Sequence, residues 1–173
     1  MKRMAPFMLV ALLAACGLRA EKLFTSYAHI EVREVARSFA CNTPVETPVA
    51  QVLPDLKAVK DWEAARGVTL PGSDGLAPAS YALVEMGLKP TGGYGIAIAR
   101  AAVLRGELVI LNATFVSPSP GSLRTQAISS PCVLVQLPPG RYTEVEVDDP
   151  DGAVRVTGIV GPFVPPKQQE PTS

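Results

Sequence analysis

Outside the N-terminal leader, apolar positions recur at helical spacing in one stretch of the chain. Between Asp55 and Arg66, Leu56, Ala58, Val59, Trp62 and Ala65 fall three or four apart or side by side, and Gly67 stands where such a helix stops. The apolar neighbours of Trp62 predict a core anchor for that helix rather than an exposed platform. Elsewhere the pattern alternates or runs in short apolar blocks bounded by Gly and Pro, which predicts strands. Residues 28–39 alternate through Ile30, Val32 and Val35 among charged residues, and the alternation slips midway, as at a bulge or an edge strand. Residues 42–54 contain Pro44, Pro48 and Pro54 and read as an irregular connection. Residues 80–86 form a compact apolar run too short for a helix. Residues 94–103 and 107–116 flank Arg105-Gly106 and predict a hairpin. Strands are also expected at 132–137, 142–147 and 153–160, the last two joined by the turn-forming run Asp148-Asp149-Pro150-Asp151-Gly152. The expected fold is mainly β, an antiparallel sandwich or barrel-like sheet of about seven strands with one packed helix. It occupies residues 28–161 as a single domain, and the Pro-rich stretch 162–173 has nothing to bury and is expected to be disordered.

The first residues carry a different signal. Lys2 and Arg3 precede an unbroken apolar run from Phe7 to Ala15, too short to span a bilayer as a helix. Its end, Leu13-Ala14-Ala15-Cys16, resembles the lipobox of bacterial lipoproteins, in which the cysteine is acylated and becomes the new N-terminus. The alternative is an ordinary signal peptide with Cys16 as a bystander. The lipobox reading makes residues 1–15 a signal peptide, 16–27 an anchor and tether, and Cys16 the lipidation site. Gly17 follows where Asp would mark inner-membrane retention in that family, so the expected location is the outer membrane, facing the periplasm.

Composition narrows the function classes. The chain has 173 residues with 16 Lys+Arg against 16 Asp+Glu. That balance gives no basic field for nucleic acid. Loss of Lys2 and Arg3 with the leader leaves 14 basic against 16 acidic side chains, so no polybasic patch assists the lipid anchor. Seventeen Pro and fourteen Gly argue against long helices. One histidine, His29, leaves little room for a triad or a His-based metal site, and no metal or cofactor is expected.

With Cys16 set aside as the anchor, Cys41 and Cys132 remain as an even pair in an oxidising compartment, which points to a disulfide. The 91 positions between them make such a loop worth about 4 to 5 kcal/mol in the chain-entropy account. The alternative is two separately buried small hydrophobes. Asp148, Asp149 and Asp151 lack the Gly and the bidentate Glu of a calcium loop and read as a solvated turn. Lys89-Pro90-Thr91-Gly92-Gly93-Tyr94 has no phosphate-loop spacing and precedes a strand, not a helix. Physically it is a rigid turn: Pro90 fixes φ, Gly92 and Gly93 admit positive φ, and Tyr94 offers a ring and a hydroxyl. It suits a contact loop or a β-turn pinned to the core.

Several pieces in order carry a family resemblance: the Asp61-Trp62-Glu63 helix, Pro90-Thr91-Gly92-Gly93-Tyr94, the 112–119 strand and Pro-rich turn, and Thr125 to Cys132 before an apolar strand. Together, over about residues 55–147, they resemble the PrcB C-terminal domain family. That family takes its name from a lipoprotein subunit that supports a secreted protease. The resemblance implies a β-rich exported domain with a non-catalytic role. The same loop is also similar to the Asn-Pro-Thr-Thr-Gly-Tyr/Phe loop of chagasin-type protease inhibitors, with Lys89 in place of Asn and Gly92 in place of the second Thr. The other two inhibitor loops have no match beyond Ser130-Pro131-Cys132.

The expectation is therefore an exported, lipid-anchored, non-catalytic protein-binding or assembly module for an envelope or secreted protein, a protease among the candidates. The candidate partner-binding residues are Pro90, Thr91, Gly92, Gly93, Tyr94, Ser130 and Pro131. Its rivals are a chagasin-like inhibitor, a purely structural envelope protein, and a small periplasmic hydrolase using Cys41 or Cys132 as a thiolate.

Overall fold

The computed structural model describes residues 27–161. The leader, Cys16, all of the 16–27 tether except Tyr27, and the 162–173 tail lie outside the described residues. Among the described residues there are nine strands and one α-helix: β1 (Tyr27–Glu31), β2 (Arg33–Ser38), β3 (Val49–Leu53), α1 (Leu56–Arg66), β4 (Tyr81–Glu85), β5 (Gly95–Arg105), β6 (Leu108–Val116), β7 (Cys132–Gln136), β8 (Glu144–Asp148) and β9 (Val154–Ile159). They form a sandwich of a five-stranded sheet, β1-β5-β6-β8-β9, and a four-stranded sheet, β2-β7-β4-β3. The mainly β fold with one packed helix is as expected, and neither sheet closes on itself.

The alternation that slips within 28–39 marks more than a bulge. The chain changes sheets at Val32, so β1 pairs with β5 and β2 pairs with β7, and β2 itself shifts register between Glu34 and Ala36. The connection expected over 42–54 contains β3, every residue of which is buried. Pro48 and Pro54 flank this strand and therefore remove no ladder hydrogen bond from it. These two differences raise about seven expected strands to nine. One pair departs from antiparallel order. After β6 the chain crosses to the other sheet to make β7, then returns as β8 parallel to β6.

The order of layers explains the apolar run 80–86. Ala82, Val84 and Met86 belong to the core between the sheets, with Ile96, Leu111, Val133 and Val145. Tyr81 and Leu83 belong to a second core beneath α1, with Val59, Trp62, Leu70 and Leu134. A strand buried on both faces reads as a continuous run, not as an alternation. Gly67 ends the helix as expected, with φ 64°, and at its start Asp55 accepts a 2.7 Å hydrogen bond from the Ala58 amide. Trp62 is buried in that second core.

At one corner the sheets meet through β3 and β9. Val52 and Val160 form a parallel bridge, and the Gly158 backbone lies so close to β3 that a Cβ there would stand 1.8 Å from the Ala50 carbonyl oxygen. At the β8–β9 turn, the Asp149 carboxylate accepts the amides of Asp151 and Ala153 at 3.0 Å each, which makes the acidic run a structural turn.

Candidate docking rim

The loops gather at the end of the sandwich where β5 begins, where Gly95 faces Val116 across the β5–β6 ladder. The run 89–94 is not a free turn. Lys89 and Ser129 exchange backbone hydrogen bonds of 2.8 and 2.9 Å, the Ser129 hydroxyl donates to the Thr91 carbonyl at 2.8 Å, and the Gly92 amide donates to the Thr125 carbonyl at 3.0 Å. The structure thus brings residues 90–94 against 125–131. Gly93 has φ 89°, and a Cβ there would stand 3.1 Å from the Pro118 ring, so both conformation and space favour glycine. Of the two glycines expected to allow positive φ, Gly93 uses it and Gly92 does not.

The predicted residues divide into an outer and an inner set. Pro90 and Gly93 are exposed; Thr91, Gly92 and Tyr94 are half-buried, and Tyr94 packs its ring on the inter-sheet core. Ser130 and Pro131 are buried and present no side chain to solvent, which corrects their assignment to a contact surface. Their work is internal. The Pro131 carbonyl accepts the Met86 amide, and the Ser130 backbone bonds Phe39 and Cys41. Cys41 and Cys132 form a disulfide with their Cα atoms 6.0 Å apart. It ties the segment after β2 to the start of β7, directly under the rim.

Beneath the same rim is a polar network that the sequence reading missed. Thr43 donates its amide to the Ser130 hydroxyl at 3.0 Å, Ser130 donates to the Thr43 hydroxyl at 2.7 Å, and Thr43 donates to Glu85 Oε1 at 2.7 Å. Arg66, the last residue of α1, donates from Nη2 to Glu85 Oε2 at 3.2 Å and from Nη1 to the Asn42 carbonyl at 3.1 Å. Burial pushes the Glu85 carboxyl above its usual range, held back in part by the Thr43 hydroxyl and the Arg66 charge. Glu85 is 0% exposed, so this carboxylate joins helix to rim and has no route to a substrate. The signal was present: Glu85 is the one charged residue in the run 80–86.

Beside the loops lies an open groove of about 650 Å³. Its walls include exposed Phe39, Val116 and Ile128, at 56%, 45% and 75%, and Tyr94 and Ala97 also line it. Phe39 closes the alternating stretch 28–39 and therefore reads as a strand residue in the sequence. Its exposure follows from β2 ending at Ser38.

His29 is exposed in β1, while both cysteines are fully buried and bonded to each other. Among the described residues, no three His, Cys, Asp or Glu side chains are grouped to hold a metal, and no helix is long and apolar enough to cross a membrane. The rim segments also lie in the stretch that carries the chain's likeness to a family. Residues 80–138 match the PrcB C-terminal family. The PrcB stretch contains β4 to β7, the 89–94 turn and the 125–131 strap, and so takes in the whole rim except its buttress from residues 39–43. No curated protein and no solved structure matches the chain.

Proposed function

We propose that this protein is an exported lipoprotein whose PrcB-like domain acts as a non-catalytic binding or assembly module, docking an envelope or secreted partner of the protease-complex type through the rim. The observation that carries this reading is the coincidence of the family match with a stapled, nearly uncharged loop cluster. A rim already fixed by a disulfide and by cross-loop hydrogen bonds presents contact area with little left to order on binding. Pairing of Cys41 with Cys132 removes the thiolate that a hydrolase using either cysteine needs. Acylation at Cys16 supplies the membrane attachment in this reading.

Site-specific photo-crosslinking in the intact envelope tests the reading. A crosslinking residue at exposed Pro90 should give one discrete adduct containing a second envelope or secreted protein, and the same residue at exposed Ile159 should not. No adduct from Pro90, or equal adducts from both positions, would overturn the assignment.

A further inference from the structure

The open side of β5 adds to this picture. In an extended strand the N–H and C=O of one residue point to the same side, and residues two apart repeat that direction. On the side of β5 away from β6, the Arg100 carbonyl accepts the Val32 amide at 2.8 Å and the Ile96 carbonyl accepts Arg37 Nη1 at 2.5 Å. Ile96, Ile98 and Arg100 therefore form one row of outward-facing backbone groups. The strand β1 covers this side from Ala101 to Arg105 in antiparallel register. At Val32 the chain departs for the other sheet. Among the described residues, no strand pairs with residues 95–98 on that side, where the groove runs alongside.

We infer that the groove takes an extended, uncharged segment of the partner protein, which pairs with Ile96 and Ile98 as a further strand in line with β1. The inference rests on the proposed protein-binding role and specifies how the partner is held. Three features choose this occupant. Continuity with β1 shows that this edge already accepts an antiparallel strand one step further along. The charge of the groove is matched by a neutral segment, because its one charged lining residue, Arg37, is already paired with Glu34 at 2.7 Å. The exposed side chains of Phe39 and Ile128 flank the edge, where alternate apolar side chains of an added strand would seek cover. Arg37 at present caps the Ile96 carbonyl, which is how an unpaired edge is kept from indiscriminate pairing. An arriving strand replaces that cap with backbone donors.

A phage-displayed library of random short peptides, panned on the full-length mature protein, tests this mode. Selected peptides should alternate apolar residues, slow amide exchange at Ile96 and Ile98 by about tenfold or more, and bind about tenfold more weakly to Phe39→Asp and Ile128→Asp. Both positions are exposed, so these variants should keep the wild-type melting temperature. Binding to Ile159→Asp, at the other end of the sandwich, should be unchanged. A library that yields no binder, or binders that leave exchange at Ile96 and Ile98 untouched, would overturn strand addition. In either case adduct formation from Pro90 would leave the binding role standing, and its absence would remove that role as well.

Discussion

Glu85 faces the helix side of β4, opposite Cys132 of β7 and Val49 of β3, and it is the fully buried charge nearest the rim. Its carboxyl is raised chiefly by burial, so the folded chain holds a proton there more tightly than the unfolded chain does. The stabilisation from that proton is complete below the ordinary carboxylate range and is lost as pH rises through the folded value. Glu63 behaves in the opposite sense. Burial would raise it, but bonds from Ser73, the Leu70 amide and Lys60 outweigh burial and hold it low, so its contribution is lost as pH falls. Glu85→Gln removes one of these opposed dependences and leaves the other. The melting temperature of the variant relative to wild type should therefore rise steadily from acid to neutral pH in a series of thermal melts. A difference that does not vary with pH would show that Glu85 does not titrate in the way its burial implies.

Elements show why some of the architecture was legible in the sequence and some was not. The helix declared itself because the apolar spacing and Gly67 are both local signals. The β5–β6 and β8–β9 hairpins did so because their turns lie in the sequence between them. The strand β3 did not, because Pro48 and Pro54 look the same in sequence whether they interrupt a strand or bracket it. The change of sheet at Val32 was visible only as a slipped alternation, since which partner a strand chooses is decided by residues far along the chain. Parity of cysteines anticipated the disulfide; nothing local anticipated that Ser130 would be buried by Thr43, 87 positions away. This bridge also fixes two elements against each other at the rim. Replacing both cysteines, as Cys41→Ala with Cys132→Ala, should cost about 2 to 5 kcal/mol in denaturant titration. The effect should be polar along the molecule: amides at Lys89 and Ser129, near the bridge, should exchange faster, while the hydrogen-bonded amides of Thr143 and Val160, beside the Gly106 turn, keep their protection. Uniform loosening of both ends would mean that the bridge stabilises the domain without shaping the rim.

At the scale of the whole molecule, the sandwich has two unlike ends. Tyr27, where the described chain begins, pairs with Arg105 beside the Gly106 turn. At the other terminus, the Val160 amide bonds the Thr143 carbonyl, and the Thr143 amide in turn bonds the Glu107 carbonyl in that same turn. Both ends of the described chain therefore leave beside the β5–β6 turn, and the rim lies at the opposite end of β5. That strand has 11 residues. Because it bulges between Ile98 and Ala102 and pairs end to end with the nine residues of β6, the usual rise separates the two ends by about 26 Å. If Cys16 is acylated as proposed, the lipid holds the Gly106 end toward the bilayer and turns the rim and groove outward, where a protein partner can approach without contending with lipid. In vesicles carrying the lipidated protein, a fluorophore placed at Glu107 should be quenched by nitroxide-labelled headgroups more strongly than one placed at Pro90. Both residues are solvent-accessible enough to carry a label without disturbing the core. Equal quenching would mean that the tether lets the domain tumble freely, and stronger quenching at Pro90 would place the rim on the membrane and defeat its assignment as a docking surface for a partner.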